Sequence, residues 1–275
     1  MPDVRSPVAT VVVSTYNRPH YLVRTLQGFE QQTFRDFELI IADDGSDATS
    51  RAAADDFLKQ SPLVVSRVWQ EDEGFRKTKI LNKAVEAART DYLIFTDGDC
   101  VPFPDFVELH LHYRAPKTFL SAGAVRLDSV ITARILDGSV PVSDITDLQT
   151  LKAHGMHVGV KQGRMWTSEG IRAVLDATLP IKKTFNGLNA SCWKAAAVHV
   201  GGFNEAMGYG GEDVEFGLRL QAAGVKPLRV RHRIRALHLD HDKPYATANE
   251  IARNYQIRDS ARRALAAARP SGPEL

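Results

Sequence analysis

The acidic, amide and imidazole side chains of this chain gather at a few points, several directly behind short apolar runs. Thr15-Tyr16-Asn17-Arg18 follows the run Val8 to Ser14, Asp43-Asp44-Gly45-Ser46 follows Phe37 to Ala42, and Asp97-Gly98-Asp99-Cys100 follows Asp91 to Thr96. Two carboxylates one residue apart supply hard oxygen ligands that suit Mg²⁺ or Mn²⁺ carrying a diphosphate. Such a cation acts as a Lewis acid on the negative charge of a departing nucleoside diphosphate. An Asp-x-Asp triplet is weak by itself, being expected about once by chance in a chain of this length. Asp240-His241-Asp242 is a second match. Context separates the two, because only the first follows an apolar strand, YLIFT, and Gly98 allows close backbone approach. Asp43 and Asp44 read equally as turn and cap residues or as nucleotide contacts.

A second acidic pair, Glu212-Asp213, opens a helical pattern carried by Val214 and Leu218. Carboxylates are common at helix N-termini because the dipole stabilises them, so a cap role competes with a chemical one. The glycine-rich approach Met207-Gly208-Tyr209-Gly210-Gly211 favours chemistry: an ionised carboxylate there could take a proton from an attacking hydroxyl. His238 and His241 close the last apolar stretch, and imidazole joining Asp99 favours Mn²⁺ over Mg²⁺.

The elements that must carry these groups alternate. Apolar runs at Val8 to Ser14, Phe37 to Ala42, Leu63 to Trp69 and Asp91 to Thr96 suit strands covered on both faces. Between them, Leu22, Leu26 and Phe29 mark one helix with Pro19 in its first turn. A second helix is expected after Ser46 as N-cap, and a third from Lys77 to Arg89. This is a βαβ pattern, hence an α/β fold with a mainly parallel sheet. In an open sheet of that kind ligands bind beyond the carboxyl ends of the strands, where the acidic clusters fall. Phe119 to Val125 reads as another strand, Trp193 to Val200 as a helix stopped by Gly201-Gly202, and Lys226 to Leu239 as a half-exposed strand. Residues 126–184 show no clear period and read equally as a mobile accessory segment or a compact helical insertion. Residues 249–275 form an arginine-rich helical tail. The division expected within a single domain is therefore 1–125 for the nucleotide-sugar side, 126–184 as a variable insert, 185–248 for the acceptor and catalytic side, and 249–275 as the tail.

Composition narrows the classes. Of 275 residues, 44% are hydrophobic and 25% charged, the balance of a globular protein. A net charge of +2 gives no case for nucleic acid as partner. No apolar run reaches the roughly 20 residues of a membrane helix, and the start MPDVRSPVATVVVS lacks the order of a signal peptide, so a cytoplasmic location is expected, extending to the inner face of the plasma membrane. Two cysteines, Cys100 and Cys192, are read as buried thiols.

Taken in order, TVVVSTYNRP (Thr10 to Pro19), FELIIADDGS (Phe37 to Ser46), QEDEGFRKTKILNKA (Gln70 to Ala84), DYLIFTDGDCVP (Asp91 to Pro102), FNGLNASCWK (Phe185 to Lys194) and GGFNEAMGYGGEDVEFGLRL (Gly201 to Leu220) resemble the inverting family 2 glycosyltransferases of GT-A fold. The QEDEGFR and GYGGEDVE blocks look most like the N-terminal transferase domain of bacterial chondroitin polymerases, and the latter also resembles β-1,4-galactosyltransferases. The resemblance implies a UDP-sugar donor and a glycan or lipid-linked glycan acceptor, in bacterial polysaccharide, capsule or lipopolysaccharide assembly. It implies that Thr15, Asn17, Arg18, Asp43 and Asp44 line the uridine pocket, with Gln70 and Lys79 on the nucleotide side and Asp97 facing ribose or metal. Asp99 and His238, with His241 as rival, would hold Mn²⁺ (or Mg²⁺), Glu212 would bind the acceptor hydroxyl, and Asp213 would be the catalytic base. It does not cover residues 126–183.

Two other classes compete. A sugar nucleotidyltransferase would carry a glycine-rich phosphate loop after its first strand, where this chain reads STYNRP. A non-catalytic nucleotide-sugar or glycan-binding module would have no need of the intact acidic pairs. The tail arginines Arg253, Arg258, Arg262, Arg263 and Arg269 offer a peripheral membrane contact, against which stands a simple solvated helix.

Overall fold

In a computed structural model of the chain, residues 7–180, 184–242 and 248–268 are described. Residues 1–6 of the start, the end of the insert at 181–183 and Arg269 of the tail lie outside them. The order is β1 (Ala9–Thr15), α1 (Pro19–Glu30), β2 (Phe37–Asp43), α2 (Ala48–Leu58), β3 (Val65–Trp69), α3 (Lys77–Ala87), β4 (Tyr92–Asp97) and β5 (Cys100–Pro102). There follow α4 (Phe106–Tyr113), β6 (Thr118–Ser121), β7 (Gly123–Arg126), α5 (Ser129–Leu136), α6 (Leu148–Ala153), α7 (Val160–Gly163), a 3₁₀ turn (Arg164–Trp166) and α8 (Glu169–Thr178). The chain continues through β8 (Asn189–Trp193), α9 (Lys194–His199), α10 (Glu212–Ala222), β9 (Lys226–Arg229), β10 (Arg235–His238) and α11 (Ala248–Ala268).

Seven strands form the main sheet in the order β3-β2-β1-β4-β8-β6-β9. β1 through β4 pair in parallel, and β8 runs antiparallel to both of its neighbours. Side-chain alternation explains why the first strands read as continuous apolar runs. Val11, Val13, Leu39, Ile41 and Ile94 enter one core with α1, while Val12, Ile40, Ala42, Leu93 and Phe95 enter another with α3. Both faces are covered, so neither needs polar residues.

The second helix is capped by Asp47, whose carboxylate accepts from Ser50 N, and not by Ser46. Ser46 is otherwise engaged: its Oγ accepts from Asn17 N at 2.9 Å. Two expected strands are each broken in two. Phe119 to Val125 divides at Ala122 because the chain there leaves the main sheet for a three-stranded one, β5-β10-β7. Buried Asn189 bridges the crossing, donating to Gly123 O at 2.7 Å and Ile234 O at 3.3 Å. Lys226 to Leu239 divides into β9 and β10 because buried Asp176 of α8 holds the turn between them, accepting from His232 N at 2.9 Å and Arg233 Nε at 3.1 Å.

Of the two readings of residues 126–184, the described part is a compact helical insertion. Ile131, Ile135, Leu151, Met156 and Met165 pack with Val125 and Leu237 of the small sheet, and with Leu239 just beyond it, in a third core. Cys100 and Cys192 are buried free thiols, as expected.

Helix α10, which carries the second acidic pair, is seated by a glycine. A Cβ at Gly217 would lie 2.6 Å from Phe185 Cβ and 2.8 Å from Phe185 N. Gly217→Ala should therefore destabilise the chain by about 1–3 kcal/mol in urea unfolding, the usual cost of overpacking. If space existed, the helix propensity of alanine would instead stabilise by about 1 kcal/mol, so the sign decides.

Candidate active site

The carboxyl ends of β1, β2 and β4 meet at one edge, where Thr15 pairs with Asp43 and Ser14 with Asp97 in register. Outside that edge lies a cavity of about 580 Å³. Thr15, Asn17, Arg18, Asp44, Asp97, Asp99, Glu212, Asp213, His238 and His241 all line it. Residues some two hundred positions apart are thus brought together. Asp43, Gln70 and Lys79 are not among its lining residues.

The loop after β1 depends on Asn17, which has φ 46°, a left-handed conformation that Asn tolerates better than most residues. Asp47 N donates to its Oδ1 at 2.8 Å, so the β1 and β2 loops are stitched together. Asp43 closes its own turn by accepting from Ser46 N at 2.8 Å. Gln70 holds Asp44 from behind, donating from Nε2 to Asp44 Oδ1 at 2.6 Å, and Arg76 N donates to Oδ2 at 2.9 Å. Burial outweighs these bonds and raises the Asp44 carboxyl to about 6. Arg18 donates to Asp242 O at 2.5 Å, and its Nη1 is buried without a partner.

Asp97 accepts from Ser14 Oγ at 2.7 Å and from Lys77 Nζ at 2.5 Å. Lys77 is the site residue that the sequence reading passed over in favour of Lys79. Burial works to lower its pKa, but Asp97, Glu212 and Asp213 together hold it above the ordinary lysine value. Lys79 instead faces Glu73 at 3.6 Å. Helix phase could have distinguished the two. Lys77 stands one turn before Ile80 and Leu81, which are buried, whereas a residue two positions on points elsewhere. Arg126, Phe75 and Tyr209 also line the cavity without having been singled out.

Asp99 lies between two imidazoles. His241 Nε2 is 2.7 Å from Oδ2 and His238 Nε2 is 3.9 Å from Oδ1, the two rings stacked 5.2 Å apart. Burial would raise the Asp99 carboxyl, but the hydrogen bond from His241 and the charges of both histidines bring it down to about 2. His241 is raised by its bond to Asp99, whereas burial lowers His238. Asp99, Cys100 and His238 place ligand atoms within 4.8 Å of one another. In the metal-free chain burial pushes the Cys100 thiol well up, and it donates to Asp99 Oδ1 at 3.4 Å. The Asp99 carboxylate and the His238 imidazole of this group are donors that fit Mn²⁺.

Opposite stand Glu212 and Asp213, in the first turn of α10. Gly210 (φ 113°) and Gly211 (φ 84°) bring the chain into the helix by a path closed to residues with a Cβ. Gly210 N donates to Glu212 Oε2 at 3.0 Å, and Gly187 N donates to Asp213 Oδ2 at 3.0 Å. Burial raises both carboxyls, Glu212 further through the charge of Asp213 and Asp213 against the pull of its backbone donors. A desolvated carboxylate of raised pKa is a competent proton acceptor.

Among the described residues, no helix is long and apolar enough to cross a membrane. The basic tail is α11, packed against α10. Arg253, Arg262 and Arg263 are exposed on it, while Asn254 and Ala261 are buried.

Residues 10–117 match the family model "Glycosyl transferase family 2", and residues 172–242 match "N-terminal domain of galactosyltransferase". Validoxylamine A glucosyltransferase of Streptomyces hygroscopicus subsp. jinggangensis (strain 5008) is 28% identical over 270 residues, covering 89% of this chain and 59% of that protein. Chondroitin synthase of Escherichia coli is 27% identical over 229 residues, 78% of this chain and 32% of that one. The chain thus spans less than two thirds of the length of these curated relatives. Among solved structures, mannosyltransferase PcManGT from Pyrobaculum calidifontis, in complex with GDP-Man and Mn²⁺, superposes with a TM-score of 0.60 at 17% identity, covering 100% of this chain and 79% of the other. Residues 10–117 thus resemble glycosyl transferase family 2, and the chain has the GT-A fold of these structures.

Proposed function

We propose that the chain is an inverting glycosyltransferase that moves a sugar from a UDP-sugar to a hydroxyl of a glycan or lipid-linked glycan. Such a transfer would serve bacterial polysaccharide, capsule or lipopolysaccharide assembly. The observation that carries the reading is the facing of two acidic groups across one cavity: Asp97 and Asp99 at the strand ends, and Glu212 and Asp213 at a helix start. The donor side falls to residues 1–125 and the acceptor side to 185–248.

Thr15, Asn17, Arg18 and Asp44 would meet the uridine, with Asp43 and Gln70 shaping that wall from behind. Lys79, which faces Glu73 outside the cavity, is replaced in this reading by Lys77. Mn²⁺, with Mg²⁺ as the alternative, would be held by Asp99 with His238 or His241 and would supply Lewis-acid stabilisation of diphosphate charge. The neighbouring fold that carries GDP-Man and Mn²⁺ supports a nucleotide-sugar and metal site of this kind.

The chemistry of the chain's own residues is a single displacement. Glu212 orients the acceptor hydroxyl, and Asp213 takes its proton. The hydroxyl oxygen forms a bond to C1 of the sugar while the C1–O bond to the diphosphate breaks, its electron pair leaving with UDP. Attack opposite the leaving group inverts the anomeric centre, the stereochemical logic of general-base displacement at sugars. Lys77 holds Asp97 and, through its charge interactions with Glu212 and Asp213, keeps their mutual repulsion in check.

Asp213→Asn should lower kcat for transfer by about 10²–10⁴-fold, the range of general-base catalysis, with the donor KM changed by less than about threefold. Steady-state transfer with UDP-sugars and Mn²⁺ reads this, and transfer at the wild-type rate would remove Asp213 as base. A wild-type chain that binds a UDP-sugar but neither transfers nor releases UDP would be a binding module.

The Asp99–His241 pair makes a second prediction, in the metal-free chain. The depressed Asp99 carboxyl contributes stability above its unfolded value near 4, lost as pH falls toward about 2. The raised His241 contributes stability below about 6.5, lost as pH rises through its folded pKa. Asp99→Asn should remove the pair's stabilising window between roughly pH 4 and 6.5 and return His241 to or below the ordinary imidazole value. Imidazole ¹⁵N NMR titration measures this; an unmoved His241 would rule out the pair as cause.

A further inference from the structure

Helix α11 reaches the acidic pair through one side chain. Asn254 is only 2% exposed. Its Nδ2 donates to Gly208 O at 3.1 Å and to Tyr209 O at 2.9 Å. Those two carbonyls belong to the segment that turns through Gly210 and Gly211 into Glu212 and Asp213. Neighbours on α11 cover the same segment: Ile251 Cγ1 lies 3.7 Å from where a Cβ of Gly210 would stand, and Arg258 Nη1 lies 3.5 Å from that of Gly211.

The segment needs such a hold. Two consecutive residues with positive φ confer freedom as well as access, and α10 begins with no side-chain cap hydrogen bond. Tyr209 stands edge-on to Phe75 at 5.4 Å and both line the cavity, so a shift of the segment would move the cavity wall along with the acids. The amide is also oriented in one sense. Its Oδ1 is buried without a donor, so the two carbonyls on Nδ2 define the contact.

We infer that Asn254 is a positioning residue for acceptor-side chemistry, and that α11 is a clamp on the glycine-rich segment of the active site. It touches no reacting atom. It acts by holding Gly208 and Tyr209 so that Glu212 and Asp213 face the cavity, and this rests on the function proposed above. The exposed arginines on the other side of α11 take no part.

The test uses the full chain with Asn254→Ala, which removes both donors, and Asn254→Asp, which sets carboxylate oxygens against two carbonyl oxygens. Hydrogen exchange is followed on peptides covering 207–216 and, as reference, β1 and β4. Exchange over 207–216 should quicken about tenfold in Asn254→Ala, as expected for losing a buried pair of bonds. It should quicken more in Asn254→Asp, with β1 and β4 unchanged. In transfer assays both variants should lose about tenfold in kcat or acceptor KM, with donor KM unchanged. Exchange over 207–216 at the wild-type rate, a uniform rise including β1 and β4, or an Asp variant milder than the Ala one would overturn the clamp. A wild type without transfer activity would defeat the proposed function alone, since hydrogen exchange still reads the clamp.

Discussion

Gathering Asp44, Asp97, Asp99, Glu212 and Asp213 around one cavity is the constraint on which the rest of the structure turns. Like charges in a low-dielectric space raise one another's pKa and press toward neutralisation. The chain answers each cluster differently. Lys77 serves Asp97 directly and acts on Glu212 and Asp213 through space, while His241 serves Asp99. Among the described residues the Asp44 carboxylate accepts from Gln70 and a backbone N–H, and burial raises it to about 6. Partner charge, more than burial alone, decides which acids stay ionised: Asp99 is also deeply buried yet falls to about 2.

On the proposed function, that distribution separates holding a cation from taking a proton. A group meant to hold a cation must be ionised at neutral pH, which the imidazoles secure for Asp99. A general base must be an anion with real proton affinity, which desolvation confers on Asp213 against two backbone donors. The same residue type thus suits two tasks because one carboxylate sits at a strand end among histidines and the other in the first turn of a helix.

The donor-side architecture was readable from the chain because its signals are local. Strands with both faces buried announce themselves as apolar runs, and ligand chemistry falls beyond their carboxyl ends. Hence Asp44, Asp97 and Asp99 could be placed at one edge before any coordinates. Features set by long-range packing were not readable. β8 is short and begins with Asn189, a buried residue whose task is to bridge two sheets. The break at Ala122-Gly123 answers to a backbone crossing, with a Cβ at Gly123 falling 2.4 Å from Arg231 O. Lys77 and Lys79 differ by helix phase alone, and motif likeness cannot resolve two lysines so close. The role of Asn254 was hidden for a similar reason: an amide among arginines reads as solvated until its two carbonyl partners are known.

The two walls of the cavity are held by different means, and the difference bears on specificity. Donor-side groups are fixed by strand register and by the stitched β1 and β2 loops, which leave little room to adapt. Asp213 and Glu212 hang on a glycine-rich segment kept in place by contacts from outside the sheet, from Gly187 on one side and α11 on the other. The helical insert packs under β7 and β10, whose ends carry Arg126 and His238, and Thr132 Oγ1 accepts from Asp240 N beside His241. A scaffold built this way can keep one nucleotide-binding edge constant while changes in the insert or in α11 reshape the acceptor wall. On the proposed function, acceptor choice would fall to the parts of the chain whose sequence is least periodic, because there positions are set by packing across elements and leave no local pattern.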